Sequence, residues 1–205
     1  MAATSTSAET ITGRAEIIDG DTIRVENTPV RLDGIDAPES RQECENAAGR
    51  SYRCGEAATR FLADLIGRQS VTCEVVGKDA YQRALGICRG QDKELNGAMV
   101  RSGWALAFQR YSERYAAEEQ AARDAGAGLW SGAFDPPWDW RAAITAEAAP
   151  GDCVIKGNIS QSGERIYHMP FHQHYDRTRI NESAGERWFC SEDEALAAGW
   201  RRALR

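Results

Sequence analysis

Two carboxylate-rich turns interrupt a series of short alternating runs near the start of the chain, and this pattern suits tightly connected strands. The first turn is Asp19-Gly20-Asp21-Thr22, and the second is Asp36-Ala37-Pro38-Glu39. Asp, Gly and Pro are ordinary turn residues, and proline also ends a strand because it has no N–H to donate. Carboxylate oxygens gathered in this way favour calcium or magnesium over zinc or copper.

Two arginines distinguish this segment from a pair of ordinary hairpin turns. Arg31 lies within residues 28–35, a run whose alternation otherwise suits a half-buried strand, and Arg83 follows a turn that begins at Lys78. A buried arginine needs an anionic partner, and its planar fork matches a phosphate. Two arginines beside a cluster of carboxylates are the components of phosphodiester hydrolysis.

In order and spacing, these motifs resemble the staphylococcal-nuclease-like (thermonuclease) family. The resemblance consists of Asp-Gly-Asp-Thr, an Arg-Leu strand leading to Asp-x-Pro-Glu, and then Asp-x-Tyr-x-Arg, and it extends from about Gly13 to Trp130. It implies that calcium, rather than magnesium, is bound by Asp21 and Asp36. The Ala37 carbonyl is implied as a further ligand, and Asp19 would lie beside the site, through a water molecule.

The same resemblance implies roles in catalysis. Arg31 and Arg83 match the two arginines that clamp the phosphate, and Glu39 matches the general base or water-orienting carboxylate. Tyr81 and Tyr111 are implied as substrate contacts. The implied activity is that of an endonuclease that cleaves DNA and RNA, with a preference for single-stranded or unpaired regions, and we expect a monomer.

The net charge leaves other functions open. Lys and Arg number 25 against 31 Asp and Glu, which gives a formal net charge of −6, whereas binding to nucleic acid normally relies on accumulated basic residues. This balance favours weak, transient substrate binding. A non-catalytic module that binds nucleic acid or protein is one alternative. An accessory protein of cell-envelope or exopolysaccharide production is another.

The alternation of apolar residues predicts an α+β fold that is mainly β. Strands are expected at 11–19, 22–27, 29–35, 70–76 and 84–89, and helices at 54–66, 94–102 and 112–125. Ser112 is the expected cap of the third helix, and Gly126 its stop. Five short strands with three helices suit a closed Greek-key barrel of the OB type, which the family resemblance also implies.

Composition divides the chain into four parts. Residues 1–12 read as a flexible lead-in, 13–144 as the nuclease-like domain, 145–152 as a small-residue linker, and 153–205 as a small C-terminal domain. Within that domain, 154–159 and 165–168 predict a hairpin, and 191–203 predict a helix capped by Ser191.

The six cysteines fall into three spaced pairs: Cys44 with Cys54, Cys73 with Cys88, and Cys153 with Cys190. An even count in bridgeable pairs favours disulfides and an oxidising compartment, although free cysteines in a cytosolic enzyme are the alternative. The first ten residues lack the basic start and apolar stretch of a signal peptide. Because the cysteine pairs favour an oxidising compartment, we expect a periplasmic or secreted protein whose targeting segment has been removed. We expect no membrane span.

All three histidines, His168, His172 and His174, lie in the C-terminal domain with Cys153 and Cys190, so a zinc site is one hypothesis. The domain distantly resembles the metal-binding module of the Ada repair protein, which uses four cysteines. Because this domain has only two, we expect a disulfide rather than zinc. Substrate capture, partner docking and simple stabilisation are all compatible with its sequence.

Overall fold

A computed structural model of the protein describes residues 9–79, 83–90, 93–108, 113–146, 153–172, 174–175 and 177–204. The strands before residue 110 are β1 (Thr10–Ile17), β2 (Thr22–Val25), β3 (Thr28–Leu32), β4 (Ile35–Asp36), β5 (Glu43–Glu45), β6 (Ser51–Arg53), β7 (Ser70–Lys78), β8 (Ala84–Gly90), β9 (Lys93–Glu94) and β10 (Leu106–Ala107). The helices before residue 150 are α1 (Cys54–Ile66), α2 (Leu95–Arg101), α3 (Ala116–Asp124) and α4 (Pro137–Ala146), and a short 3-10 helix covers Gly128–Ser131.

A closed barrel forms the larger part of the structure, as the sequence predicts. The strand order is β3-β2-β1-β7-β8, and β3 also pairs with β8 in parallel, which closes the sheet on itself. The alternating apolar residues of these strands point inward, where α1 and α2 contribute Leu62, Leu95 and Met99 to the same core. The OB-type barrel and its five strands are therefore confirmed.

Close packing of α1 fixes the two carboxylate-rich turns. A Cβ at Gly20 would lie 2.7 Å from the Cβ of Ala37 and 2.9 Å from that of Ala58, and a Cβ at Gly55 would lie 1.8 Å from the carbonyl oxygen of Glu39. Only glycine allows such approaches. The first turn therefore lies against the second, and the start of α1 lies against the backbone of Glu39.

Two predicted boundaries in the barrel domain are wrong. The strand expected at 29–35 ends at Leu32, because Gly34 reverses the chain with φ of 76°, and β4 then pairs with β10 instead. The helix expected from Ser112 begins at Ala116 without a side-chain cap, since the buried Tyr115 ring turns into the core there and its hydroxyl donates to Glu94. Ser112 itself lies outside the described residues.

Helix α4 was not predicted. It begins at Pro137, a residue favoured in the first turn of a helix, and its tryptophans pack in two directions. Trp138 joins the cluster around Leu129 on the barrel, together with Trp104 and Trp130, whereas Trp140 packs on the C-terminal domain. These tryptophans are therefore packing residues.

The C-terminal domain is a small sheet with strands β11 (Ile155–Ile159), β12 (Arg165–His168), β13 (Arg187–Phe189) and β14 (Arg201–Arg202), with α5 (Glu192–Ala197) and a 3-10 helix at Glu182–Ala184. The predicted hairpin is confirmed, and the Ser191 hydroxyl accepts from the Glu194 N–H, as a cap does. The helix predicted to reach residue 203 is too long. Gly199, with φ of 78°, ends it, and the chain continues as β14 beside β12.

Each of the three predicted cysteine pairs is bonded in the structure. Cys44–Cys54 ties β5 to the start of α1, Cys73–Cys88 joins directly opposed residues of β7 and β8, and Cys153–Cys190 closes the C-terminal domain. Among the described residues, no helix combines the length and apolar character needed to span a membrane.

Candidate active site

The turn between β1 and β2 positions Asp19 and Asp21. The backbone N–H groups of Ile18 and Asp19 both donate to the carbonyl of Thr22, at 3.0 and 3.2 Å, and the Asp21 N–H donates to Asp19 Oδ1 at 3.0 Å. Such an aspartate-centred turn needs an acidic or amide side chain at its first position. Asp21 is thereby directed into the protein, where 4% of its surface remains exposed.

Arg31 joins the two turns. It lies opposite Thr22 in the β2–β3 ladder, which places its fork beside Asp21. Arg31 Nη1 donates to Asp21 Oδ1 at 2.7 Å, and Nη2 donates to Asp36 Oδ1 at 2.9 Å. The second oxygen of Asp21 accepts from the Ala37 N–H at 3.0 Å. The partly buried Arg31 thus has its anionic partners, as its position in a half-buried strand predicts.

Arg83 is oriented by Asp79, the first residue of the Asp-x-Tyr-x-Arg motif. Arg83 Nε donates to Asp79 Oδ2 at 2.6 Å, and the Arg83 N–H donates to Asp79 Oδ1 at 2.9 Å. Both side chains are largely buried at the end of the β7–β8 hairpin. Tyr81 and Tyr111, the predicted substrate contacts, lie outside the described residues.

Arg141 of α4 is a site residue that the sequence analysis missed. Its Nη2 donates to Asp36 Oδ2 at 2.7 Å, and its Nη1 lies 3.2 Å from Asp36 Oδ1 and 2.9 Å from Glu39 Oε1. No local motif marks an arginine that meets its partners more than 100 residues away. The two tryptophans that precede it, Trp138 and Trp140, were the available signal that this segment packs onto the domain.

A cleft of about 490 Å³ brings these groups together. On the barrel side it is lined by Asp19, Asp21, Arg31, Ala37, Glu39 and Arg83; α4 contributes Arg141, and the C-terminal domain contributes Met169, Phe171, His172, Glu192 and Arg202. Asp36 lies behind this surface, with 1% of its area exposed. The C-terminal domain therefore forms one wall of the cleft, a position that its sequence did not indicate.

The carboxylates of the cleft have unequal proton affinities. Burial, and after it the charges of Asp21 and Glu39, raise the pKa of Asp19 to about 7. Burial opposes ionisation of Asp21 as well, but Arg31 and the Ala37 N–H outweigh it and lower the pKa of Asp21. Burial raises the pKa of Glu39 despite the opposing charge of Arg141. Burial thus favours the protonated forms of Asp19 and Glu39, whereas Arg31 keeps Asp21 ionised.

The histidines of the C-terminal domain hydrogen-bond to protein groups. His168 Nε2 lies 3.0 Å from Asn158 Oδ1. His172 Nδ1 accepts from the Met169 N–H at 3.1 Å, and its Nε2 lies 3.0 Å from Arg202 Nε. Burial lowers the pKa of His168 to about 4 and that of His172 well below its ordinary value. Cys153 and Cys190 are bonded to each other. Within the described ranges, no group of three or more His, Cys, Asp or Glu residues is arranged as a metal site.

A family model described as "Staphylococcal nuclease homologue" matches residues 29–132, about half of the chain. The chain belongs to this family. The matched region contains Arg31, Asp36, Glu39 and Arg83, whereas Asp19 and Asp21 precede it. Arg141 and the C-terminal domain follow it, so one wall of the cleft lies outside the part that defines the staphylococcal nuclease homologues.

Several curated proteins are similar to this chain. One is "Succinoglycan biosynthesis protein ExoI" of Rhizobium meliloti, 39% identical over 127 residues, which are 60% of this chain and 66% of that protein. Another is an "Uncharacterized endonuclease" of Haemophilus influenzae, 33% identical over 57% of this chain and 64% of its own. A "Probable staphylococcal-like nuclease" of Oryza sativa is 35% identical over 55% of this chain and 21% of its own. The chain spans less than two thirds of the length of these relatives.

Proposed function

We propose that this protein is a calcium-dependent nuclease that hydrolyses phosphodiester bonds in DNA and RNA, with a preference for single-stranded or unpaired regions. The observation that carries the proposal is the convergence of Arg31, Arg83 and Glu39 on one cleft. Membership of the staphylococcal nuclease homologues and similarity to proteins named as nucleases support the same reaction.

The arginines would stabilise the charge of the reacting phosphate. A phosphodiester is already anionic, so attack by water adds negative charge to its non-bridging oxygens. Arg31 and Arg83 are fixed by Asp21, Asp36 and Asp79 before substrate binds, so little reorganisation is needed. Loss of one such preorganised contact typically lowers the rate by roughly a hundred- to a thousandfold.

Glu39 would orient and deprotonate the attacking water. Its backbone is fixed by α1, and its N–H donates to Gln42 Oε1 at 3.3 Å, where Gln42 is itself fully buried. Because burial raises the pKa of Glu39, its carboxylate is a stronger base than an exposed glutamate. A positioned base of this kind contributes about a hundred- to ten-thousandfold.

The two turns offer oxygen donors, the type of ligand that calcium takes. Asp21 and Asp36 are buried carboxylates, the Ala37 carbonyl is a third oxygen donor, and Asp19 would contribute through water. Burial, and after it the charges of Asp21 and Glu39, raise the pKa of Asp19, and a divalent cation would offset that negative charge. When bound, calcium would supply Lewis-acid polarisation of a phosphoryl oxygen and would lower the pKa of a coordinated water.

Other features support the substrate and the compartment that we propose. A cleft with walls on two sides admits one strand more readily than a duplex. Three disulfides favour maturation in an oxidising compartment, so we propose a periplasmic or secreted location. The proposal assumes a monomer, because the cleft is built from residues of one chain.

The test is release of acid-soluble nucleotides from single-stranded DNA, duplex DNA and RNA, with calcium, with magnesium and with chelator. We expect calcium-dependent release, fastest for single strands. Glu39→Gln should lower turnover by about a hundred- to ten-thousandfold while substrate binding is retained. Glu45→Gln, an exposed glutamate on β5, is the matched control and should leave turnover unchanged. Absence of release with every metal, or equal loss of rate and binding in Glu39→Gln, would refute hydrolysis at this site.

The relative named for succinoglycan biosynthesis favours a second candidate function, an accessory role in exopolysaccharide production. Under that hypothesis the cleft would bind an anionic polysaccharide through its arginines. Affinity electrophoresis in gels containing acidic exopolysaccharide distinguishes the two, since a nuclease without this role should migrate as it does in a plain gel.

A further inference from the structure

Helix α4 connects the two hydrophobic clusters that flank the cleft. Trp138 lies 6.0 Å from Phe108 on the barrel side, between ring centroids, and Trp140 lies 6.2 Å from Phe171 in the C-terminal domain. Ile144, one turn beyond Trp140, packs on the same C-terminal cluster. Arg141 follows Trp140 directly, so the position of its guanidinium depends on the packing of α4 against the C-terminal domain.

The Arg141 guanidinium uses the same oxygens that a cation would need. A carboxylate oxygen accepts two hydrogen bonds through its lone pairs. Asp36 Oδ1 accepts from Arg31 at 2.9 Å and lies 3.2 Å from Arg141, and Asp36 Oδ2 accepts from Arg141 at 2.7 Å. One oxygen of Asp36 is thus fully occupied, and the other is bonded to Arg141.

Arg31 alone would already give Asp36 a partner of opposite charge. Arg141 adds a second guanidinium to that carboxylate and also pairs with Glu39, at 2.9 Å. Arg141 therefore contacts both a proposed metal ligand and the proposed base. Its effect on the cleft is to supply positive charge and to saturate oxygen donors.

We infer that Arg141 is a positioning residue that competes with the divalent cation for Asp36, and that the C-terminal domain, through Trp140, sets the strength of this competition. The inference deepens the proposed function and rests on it for the identity of the cation. Displacement of Arg141 requires its charge-assisted bonds to Asp36 to break. Its removal also leaves more negative charge around the cation, so both effects act in the same direction.

The experiment is calorimetric titration of the full chain, stripped with chelator, with calcium chloride. Arg141→Gln should lower the dissociation constant for calcium by about tenfold or more, equivalent to about 1.4 kcal/mol. Arg141→Lys, which retains charge without the planar fork, should fall between this variant and the wild type. The matched control is Arg60→Gln, an exposed arginine on α1, which should leave the constant unchanged.

A separate variant tests whether the C-terminal domain affects calcium binding. Trp140→Ala removes the contact with Phe171, and we expect it to tighten calcium binding by a smaller factor than Arg141→Gln. Trp188→Ala removes an exposed tryptophan on β13 and is the control for nonspecific effects of truncation in this domain. Circular dichroism identifies any variant that fails to fold. If Arg141→Gln does not fold, the calcium affinities of Trp140→Ala and Arg141→Lys test the inference.

The outcomes separate this inference from the proposed function. Unchanged or weaker calcium binding in a folded Arg141→Gln variant would overturn the competition, since a merely structural role predicts that Asp36 becomes less ordered and the cation binds less tightly. Calcium binding in the variant alone supports the competition. If neither the wild type nor Arg141→Gln binds calcium, the competition and the calcium dependence are both overturned. Nucleotide release in chelator would then show that the nuclease proposal survives without calcium.

Discussion

The charge of Asp19 should destabilise the folded protein at neutral pH, and Asp19→Asn should therefore stabilise it. Burial, followed by the charges of Asp21 and Glu39, raises the pKa of Asp19 from 3.8 to about 7. The folded state thus holds this proton more tightly than the unfolded chain does. The stability associated with Asp19 is complete below pH 3.8 and is lost as the pH rises toward 7.

The size of the effect follows from the two pKa values. A tenfold change in an acid's ionisation constant corresponds to about 1.4 kcal/mol, so the difference between 3.8 and about 7 sets an upper value of about 4 kcal/mol. Water reaches part of the Asp19 side chain and screens its neighbours, so we expect about half of this, or about 2 kcal/mol. Asparagine keeps the side-chain oxygen that accepts from the Asp21 N–H.

Urea unfolding in chelator, followed by tryptophan fluorescence, measures the free energy of unfolding of both proteins at pH 7 and pH 4. Asp19→Asn should be more stable at pH 7 and nearly equal to the wild type at pH 4. Asp64→Asn, an exposed aspartate on α1, is the control and should change the free energy by less than about 0.5 kcal/mol at either pH. A gain of equal size at both pH values, or no gain at pH 7, would refute the argument from burial and neighbouring charge.

Two further changes concern the orientation of Arg83. Asp79→Asn removes the charged acceptor of Arg83 Nε, 2.6 Å away, so turnover should fall by up to roughly a hundredfold with little change in KM; a proportionate rise in KM would contradict a role in the transition state. Replacing Cys73 and Cys88 together with Ala opens a cross-link over 15 residues, which should lower the free energy of unfolding by about 3 kcal/mol. Because that cross-link stabilises the hairpin that ends at Arg83, nucleotide release should also slow. Unchanged turnover in the folded double variant would show that the disulfide does not affect the position of Arg83.

The barrel and its turns were predictable because their signals are local. Arg31 is ten residues from Asp21 and lies on β3 opposite Thr22, the residue that follows Asp21, so alternation and turn chemistry bring them together. The same holds for Cys73 and Cys88 across one hairpin. The start of α3 was predicted wrongly because it depends on the burial of Tyr115. The Tyr115 ring lies beside Gly34 and Gly97, which are distant in sequence, and a local cap signal does not show such contacts.

The missing parts of the cleft depend on contacts between distant segments. Arg141 meets Asp36 across 105 residues, and Arg202 reaches the cleft only because Gly199 ends the last helix and turns the chain into β14. The pattern of one segment does not indicate a contact with a residue that is distant along the chain. The pattern at 191–203 favoured a longer helix, which would not have formed the edge strand that carries Arg202.

The residues of the two turns and Arg141 are attached to the cleft in different ways. Asp21, Asp36 and Glu39 lie on two adjoining turns, and Arg31 of β3 bonds to Asp21 and Asp36. A change at one of them therefore disturbs the others and the fold. Arg141 is joined to that cluster by its side chain alone, from a helix held by Trp138 and Trp140. A substitution on α4, or a change in the C-terminal domain that shifts Phe171, can alter the charge at Asp36 while the barrel stays intact. Under the proposed competition for Asp36, the affinity for a cation would change through the C-terminal domain without a change at Arg31 or Arg83.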